Sequence, residues 1–373
     1  MGGPMIQRYV FSYIMDLKST LDELDYTQLE KIINVLLSAR KNDKQIFILG
    51  NGGSAATASH FACDLGKGTI DYANSDFRRF RAISLTDNLA LITALGNDLS
   101  YNHIFAEQLK NLVNPGDVVI GISASGNSPN ILEAFDVAKK VGAITIGFLG
   151  FGGGKARHIV DYHLTVSSRN YGISEDFHMI VEHIITQIIR RLLHEKKQKV
   201  VFLDRDGIIN EKPPEHQYVT QWEDFKFIPE IFDTLSALIK KDYKLVIVTN
   251  QQGIGKKLFN EQQLYDIHAR MNEEFVKRDI KIEKIYYCPH LESDGCNCRK
   301  PQPGMLYRAQ NELPFIIDMD NSFILGDSIR DVQAGKAFGI KTVLFNSNGY
   351  ANNNEADYLI NNIRDVVNII DKF

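Results

Sequence analysis

Residues 199–210, K-V-V-F-L-D-R-D-G-I-I-N, constrain this chain more than any other stretch. Val200, Val201, Phe202 and Leu203 read as a short buried strand, and the apolar run breaks at once into Asp204 and Asp206, one residue apart, followed by Gly207. Carboxylates at the end of a strand belong to the edge where parallel α/β sheets keep their chemistry. The stretch lies just past the middle of the chain, directly after a long apolar helix with a charged tail at 190–199. It therefore reads as the start of a domain and as the catalytic edge of that domain.

With 373 residues the chain is too long for one typical domain; two are expected, at 1–196 and 197–373, each large enough to bury its own core. A net charge of −4 without a Lys/Arg-rich block gives no general pull towards nucleic acid. No apolar run approaches the roughly 18–20 residues of a membrane span, and the N-terminus does not resemble a signal peptide. The expectation is a soluble, cytoplasmic protein that engages no membrane. Three of the four cysteines, Cys288, Cys296 and Cys298, crowd into one segment. That distribution fits a metal site in a reducing compartment better than a disulfide framework.

The chain opens with apolar residues at helical spacing, such as Leu29, Ile32, Ile33, Leu36 and Leu37. Strands are predicted at 45–49, 81–85, 117–122, 143–149 and 162–166, alternating with helices in the rhythm of a doubly wound parallel sheet. The last helix of this half, 173–194, carries an apolar face so wide that it calls for burial in a bundle or a subunit interface. Two strand ends run into small polar loops: Gly50-Asn51-Gly52-Gly53-Ser54, and Ser123-Ala124-Ser125-Gly126-Asn127-Ser128-Pro129. Glycines let backbone N–H groups approach a ligand, and hydroxyls at a helix start add donors, so the two loops together describe a phosphate cradle that needs no lysine.

G-N-G-G-S-A and S-A-S-G-N-S, with H-F-A-C-D-L at 60–65 and Gly96-Asn97-Asp98, resemble the sugar isomerase (SIS) fold and, within it, the phosphoheptose isomerases. The resemblance covers nearly all of residues 5–195. It implies conversion of sedoheptulose 7-phosphate into D-glycero-D-manno-heptose 7-phosphate. It places Asn51, Gly52, Gly53, Ser54, Asn97, Asp98, Ser123, Ala124, Ser125, Ser128 and Glu175 around the substrate. The chemistry needs a base and an acid that move a proton between C1 and C2 of an open-chain sugar. His60 and Asp64 stand i,i+4 on a predicted helix and share a face. Glu175 and His183 lie eight residues apart, about 80° around a helix, and can point at the same site. The family's metal-and-acid helix aligns with 175–183, so the resemblance implies a zinc set of His60, Asp64, Glu175 and His183, in which Asp64 and His183 double as the proton-transfer pair. His178 and Glu182 are equally good pairings on the same helix. The chain departs from the family twice: glutamate is usual where Asp64 stands, and glutamine where Glu175 stands. The shorter carboxylate reaches less far, and Glu175 adds charge. A sugar-phosphate-sensing SIS module without catalysis is the competing reading, against which both histidines argue.

Residues 200–373 repeat the α/β rhythm with different chemistry. Asp204 and Asp206 open it, Thr249 and Asn250 follow a strand at 245–248, Lys300 comes next, and Gly326-Asp327 follow a strand at 323–325. That order resembles the haloacid-dehalogenase phosphatases. By that resemblance Asp204 attacks phosphorus, Asp206 protonates the leaving oxygen and later activates water, and Thr249 and Lys300 hold the phosphoryl oxygens. Mg²⁺ is expected between Asp204, the main-chain carbonyl of Asp206 and Asp327, with Asp331 in support.

Cys288-x-His290 and Cys296-x-Cys298, separated by a short polar loop, offer three thiolates and an imidazole for a closed tetrahedral Zn²⁺ site that pins Arg299 and Lys300. This loop narrows the resemblance to the heptose 1,7-bisphosphate 7-phosphatases and the histidinol-phosphate phosphatases. It also implies substrate contacts from Thr249, Asn250, Gln251, Gln252, Arg299 and Lys300. Beside a ketose isomerase, the heptose substrate is the one that makes sense, and the fusion points to nucleotide-activated heptose synthesis. In that pathway C1 is phosphorylated between the two reactions, and the sequence shows no P-loop, so a separate heptose kinase is expected as a partner. The resemblance further implies a homo-oligomer, a tetramer, assembled through the N-terminal half.

Overall fold

The central strands are buried at nearly every position, and because successive side chains point to opposite faces, each half of the chain closes into helix, sheet and helix layers. The structure is a computed structural model and describes residues 3–214, 217–346 and 355–372. It divides into two units, Met1–His194 and Glu195–Phe373.

The first unit holds β1 (Gln45–Gly50), β2 (Arg81–Ser84), β3 (Val118–Ser123), β4 (Ile144–Leu149) and β5 (Tyr162–Thr165) in the order β2-β1-β3-β4-β5. Every pairing is parallel. Its helices are α1 (Gly3–Leu21), α2 (Tyr26–Lys41), α3 (Gly53–Cys63), α4 (Leu89–Asp98), α5 (Ala106–Leu112), α6 (Pro129–Val141) and α7 (Tyr171–His194). Because strand side chains alternate, Ile46 and Ile48 of β1 join Phe61 of α3 and Phe177, Val181 and Ile185 of α7 on one face. Phe47 and Leu49 join Leu109 of α5 and Ile131 and Phe135 of α6 on the other. The chain leaves β1 towards β2 on one side and, through β3, towards β4 on the other. The loops after β1 and β3 therefore flank the point where strand order reverses, the crevice where open parallel sheets bind ligands.

The second unit holds β6 (Lys197–Leu203), β7 (Tyr243–Asn250), β8 (Ile282–Cys288), β9 (Ile316–Ile317), β10 (Phe323–Gly326), β11 (Lys341–Phe345) and β12 (Tyr358–Ile360). The order is β12-β11-β10-β6-β7-β8, with β9 paired to β6. Helices α8 (Ile231–Lys240), α9 (Glu261–Val276), α10 (Gly304–Glu312), α11 (Ile329–Phe338) and α12 (Val366–Ile369) complete it. Val200 and Phe202 pack towards Met305 and Leu306 of α10 and Phe338 of α11. Val201 and Leu203 pack towards Leu235 of α8, Met271 of α9 and Val366 of α12. The strand that opened the sequence argument is thus the central one, flanked by β10 and β7, and its C-terminal end is again a reversal point. Among the described residues no helix is long and apolar enough to cross a membrane.

One glycine fixes the seating of α6. A Cβ on Gly121 of β3 would fall 2.4 Å from Phe135 Cζ, so the ring packs on bare backbone. Gly121→Val is expected to destabilise the first unit by about 1–3 kcal/mol through overpacking, seen as a lower urea midpoint for that unit's transition.

Candidate active sites

In the second unit, three strand ends deliver the predicted phosphatase residues to one place. Asp204 follows β6, Thr249 lies at the end of β7, and Asp327 follows β10. Lys300 arrives from outside the sheet and is almost completely buried. Its Nζ lies 2.9 Å from Asp204 Oδ1 and 2.5 Å from Asp331 Oδ1, and donates to the Val248 carbonyl at 2.8 Å. Ligand atoms of Asp204, Asp327 and Asp331 lie within 4.8 Å of one another. Lys212 Nζ caps the outer side of this group, 2.6 Å from Asp327 Oδ2. Three carboxylates face two ammonium groups, a surplus of negative charge that suits a hard divalent cation. Burial, opposed by Lys300 and reinforced by the neighbouring carboxylates, pushes Asp204 up to about 7.

Gly207 makes this convergence possible. Its φ is +93°, and a Cβ there would fall 2.2 Å from Asp327 Oδ2. The glycine of D-x-D-G thus leaves room for the second carboxylate as well as turning the chain.

The Asp206 side chain is turned away from the carboxylate cluster. Fully buried Arg205 grips it, with Nη2 2.8 and 2.9 Å from its two oxygens, while Asn210 Nδ2 donates at 2.9 Å and Gln251 Nε2 at 3.0 Å. Burial works to raise its pKa, but the Arg205 charge and these hydrogen bonds hold it below the usual carboxylate range. The expected metal contact of Asp206 is a main-chain one, so its side chain remains free for proton transfer.

Two residues expected at the substrate serve the machinery instead. The Asn250 amide clamps Lys300, donating to its carbonyl and accepting from its N–H, both at 3.0 Å. Gln251 is buried and bridges Asp206 and Thr249 Oγ1, the latter at 2.8 Å. Gln252 and Arg299 sit further out, joined at 3.2 Å. Arg299 is buried, and its Nη1 has no partner among the described residues. Arg299 and Lys300 line a pocket of about 440 Å³ together with Arg330, so a buried, half-satisfied guanidinium faces space that an anion can fill.

The cysteine segment brings its four expected ligands together. Cys288 Sγ is 3.6 Å from Cys296 Sγ and 3.3 Å from Cys298 Sγ, and His290 Nδ1 is 3.2 Å from Cys298 Sγ. These edges are far too long for disulfides and near the roughly 3.4–3.8 Å that tetrahedral Zn–N and Zn–S bonds produce. The residues fit a closed zinc site.

In the first unit the two cradle loops are tied across the reversal point by a reciprocal amide pair between Asn51 and Asn130, at 2.9 and 2.8 Å. Tyr101 donates to Asn51 at 3.1 Å. Ser123 accepts from the Gly126 N–H at 3.1 Å and lies 3.5 Å from Ser128, whose hydroxyl makes no cap bond to α6. Ser125 accepts from the Asn127 N–H, at 3.2 Å. Gly52 takes φ +56° at the N-cap of α3, while Ser54 and Ala124 are buried in the loop walls. Asn97 and Asp98 end α4, exposed and bonded to each other at 2.8 Å, with no hydrogen bond to the cradle among the described residues.

The proton-transfer face differs from the expectation at one position. His60 Nε2 and His183 Nε2 lie 3.3 Å apart, and Asp64 Oδ1 is 3.7 Å from His60. The fourth member of the cluster is Glu182 and not Glu175. Glu182 Oε1 sits 3.6 Å from His60 Nε2 and 3.4 Å from His183 Nε2. Burial, with Asp64 nearby, pushes Glu182 up to about 8. Glu175 lies seven residues earlier on α7, two turns and about 10.5 Å along the axis. There it abuts the start of α3, where a Cβ on Gly53 would fall 2.5 Å from Glu175 Oε2. Glu175, expected in the metal set, is thus not grouped with His60, Asp64 and His183, while its place beside the cradle loop fits substrate contact. His178 is core, packed near Phe148 and Phe177 and held neutral by burial, which lowers it to about 4.

Comparison with known proteins follows the same division. Residues 10–150 match the SIS domain family model, and residues 199–359 match the model described as polynucleotide kinase 3 phosphatase. A phosphoheptose isomerase of Clostridium acetobutylicum is 38% identical over 170 residues, 46% of this chain and 85% of that protein. A D-glycero-alpha-D-manno-heptose-1,7-bisphosphate 7-phosphatase of Campylobacter jejuni is 45% identical over 148 residues, 40% of this chain and 82% of that protein. A D-glycero-beta-D-manno-heptose-1,7-bisphosphate 7-phosphatase of Photorhabdus laumondii is 41% identical over 168 residues, 43% of this chain and 87% of that protein. The chain therefore belongs to the phosphoheptose isomerase family over its N-terminal half and to the heptose-1,7-bisphosphate 7-phosphatase family over its C-terminal half.

Proposed function

We propose that this is a bifunctional enzyme of activated-heptose synthesis. The first unit isomerises sedoheptulose 7-phosphate to D-glycero-D-manno-heptose 7-phosphate. The second removes the 7-phosphate from D-glycero-D-manno-heptose 1,7-bisphosphate. The observation that carries the reading is a charged cluster in each unit suited to its own reaction: Asp204, Asp327 and Asp331 around the reversal point of the second sheet, and His60, Asp64, Glu182 and His183 where α7 meets the end of α3 in the first. Between the two steps C1 must gain a phosphate, a reaction assigned to a separate kinase. The exposed apolar side chains of α1, among them Ile6, Tyr9, Val10 and Phe11, support assembly of copies through this half.

In the second unit Asp204 attacks phosphorus in line, and the P–O bond to the sugar breaks as the aspartyl-phosphate forms. Lys300 and the Thr249 hydroxyl hold the phosphoryl oxygens, Asp206 delivers a proton to the departing sugar oxygen, and the same carboxylate then takes a proton from the water that releases phosphate. Asp206 rests ionised beside Arg205, so the arriving anionic phosphate must raise its pKa to arm it as an acid. Asp204, Asp327 and the Asp206 carbonyl would hold Mg²⁺, whose charge offsets the convergent carboxylates and phosphoryl oxygens. In the first unit the Asn51–Ser54 and Ser123–Ser128 loops grip the substrate phosphate through backbone N–H groups and hydroxyls. Asp64 moves the proton between C1 and C2.

Asp204→Asn is expected to lower phosphate release from heptose 1,7-bisphosphate about a thousandfold or more while leaving isomerisation unchanged; wild-type release would reject Asp204 as nucleophile. The nucleophile must be ionised, and its pKa is raised by burial to about 7. At limiting Mg²⁺ the phosphatase rate should therefore fall as pH drops through that value. Saturating Mg²⁺ favours the ionised form and should shift this acid limb to lower pH; a limb that does not move with Mg²⁺ contradicts the assignment. Protein given sedoheptulose 7-phosphate, with and without zinc, should yield an aldoheptose phosphate, and no turnover in either condition favours a sensing role for the first unit.

A further inference from the structure

Glu182 is a carboxylate without a hydrogen bond among the described residues. It is fully buried. A buried carboxylate left in this way is expensive unless a cation neutralises it. What surrounds it is a pair of imidazoles, with their Nε2 atoms at 3.4 and 3.6 Å from Glu182 Oε1 and 3.3 Å from each other. Metal–ligand bonds of about 2.0–2.1 Å in a tetrahedron place neighbouring donors about 3.3–3.4 Å apart. The triangle of Glu182 Oε1, His60 Nε2 and His183 Nε2 matches one face of that tetrahedron.

Asp64 stands differently. Its Oδ1 is 3.7 Å from His60 Nε2, its side chain is 31% exposed, and it begins a single π-helical turn, Asp64–Gly68, that follows α3. Such turns often mark functional sites. Glu175, two turns away along α7, is held beside Gly53 and lies outside the donor set.

We infer that this chain seats a divalent transition cation on a tripod of His60, Glu182 and His183, with Asp64 as the fourth, displaceable corner and without Glu175. The inference rests on the isomerase reading of this unit, because only a catalytic site needs a corner that opens. The tripod commits His183 to the cation through Nε2, so proton transfer falls to Asp64 once the substrate oxygen takes its place. The carboxylate then accepts the proton from C1 and returns it to C2, while the O1 proton passes to O2. No atom is gained or lost.

The test is a zinc count on the full-length protein, stripped with chelator, titrated with Zn²⁺ in magnesium-containing buffer and measured by elemental analysis. Glu182→Gln should bind one equivalent fewer than wild type, and Glu175→Gln the same number as wild type. Asp64→Asn should keep the zinc but lose isomerisation. Glu182→Leu removes the buried charge altogether. It should leave the stripped protein at least as heat-stable as wild type while abolishing the zinc-dependent rise in the melting temperature of the first unit, the rise from the cysteine loop of the second unit being retained. The urea transition of the first unit serves as the folding control for every variant. Wild-type zinc content in both Glu182 variants, loss of zinc in Glu175→Gln, or a wild type that takes up zinc only on its cysteine loop would each overturn the inference. Failure to turn over sedoheptulose 7-phosphate would remove the isomerase reading and leave the zinc count unaffected, so the two failures are distinguishable.

Discussion

The buried ammonium of Lys300 holds the phosphatase site together. It stands 2.9 Å from Asp204 and 2.5 Å from Asp331, in a place where removing one partner of a buried pair costs about 3–5 kcal/mol. Asp204 stays in a pocket that burial would otherwise force it to meet protonated. Several features follow from the need to keep that lysine in position. Asn250 clamps its main chain from both sides. The cysteine segment, whose Cys298 is separated from Lys300 by Arg299 alone, ties the approach of the chain to the end of β8 through Cys288. A closed thiolate site suits this role, since its task is to fix a loop and it needs no open coordination position.

The two units reach comparable solutions from the same sheet logic. In each, the ligand loops leave the strands on both sides of a reversal point, so donors from non-adjacent sequence meet without any long loop. In the proposed function the first unit grips with backbone and hydroxyls and reserves its charged groups for proton transfer, whereas the second grips with Lys300 and Thr249 and spends a carboxylate on the attack itself. Both rely on bare glycines: Gly207 and Gly326 admit no side chain because Asp327 and Asp331 press against them, at 2.2 Å from an added Cβ in both cases, and Gly53 meets Glu175 at 2.5 Å. The glycines after the two strand ends are therefore part of the carboxylate geometry.

Strand ends were readable from sequence because a short apolar run terminated by Asp, Thr or Gly has few alternatives in a parallel sheet. Residues 45–49, predicted as a strand, correspond to β1 at Gln45–Gly50, and 173–194 to α7 at Tyr171–His194. The phosphatase cluster followed from order alone, since each of its parts closes a strand or a pinned loop. Side-chain allegiance was harder to see. Asn250 and Gln251 carry amides that look ready for a sugar, yet they satisfy Lys300 and Asp206, groups whose burial the sequence does not display. Arg205, between Asp204 and Asp206, gave no sign that it is fully buried and holds Asp206. Helical spacing left Glu175 and Glu182 indistinguishable, because seven residues return almost to the same face. Only the height at which α7 meets α3 separates them.

Charge balance gives an independent reason for that separation. Around a bound divalent cation, the two carboxylates of Asp64 and Glu182 would supply two negative charges and match it without excess. Adding Glu175 would leave a surplus charge in a site that must also admit an anionic sugar phosphate, and like charges in a poorly solvated site oppose one another strongly. Placed instead at the first turn of α3, Glu175 lies where the helix dipole favours a negative group. From there it can accept hydrogen bonds from sugar hydroxyls. The departure from the family's usual glutamine is thus tolerable only if another residue completes the cation set, and Glu182 is the buried carboxylate within reach of both histidines.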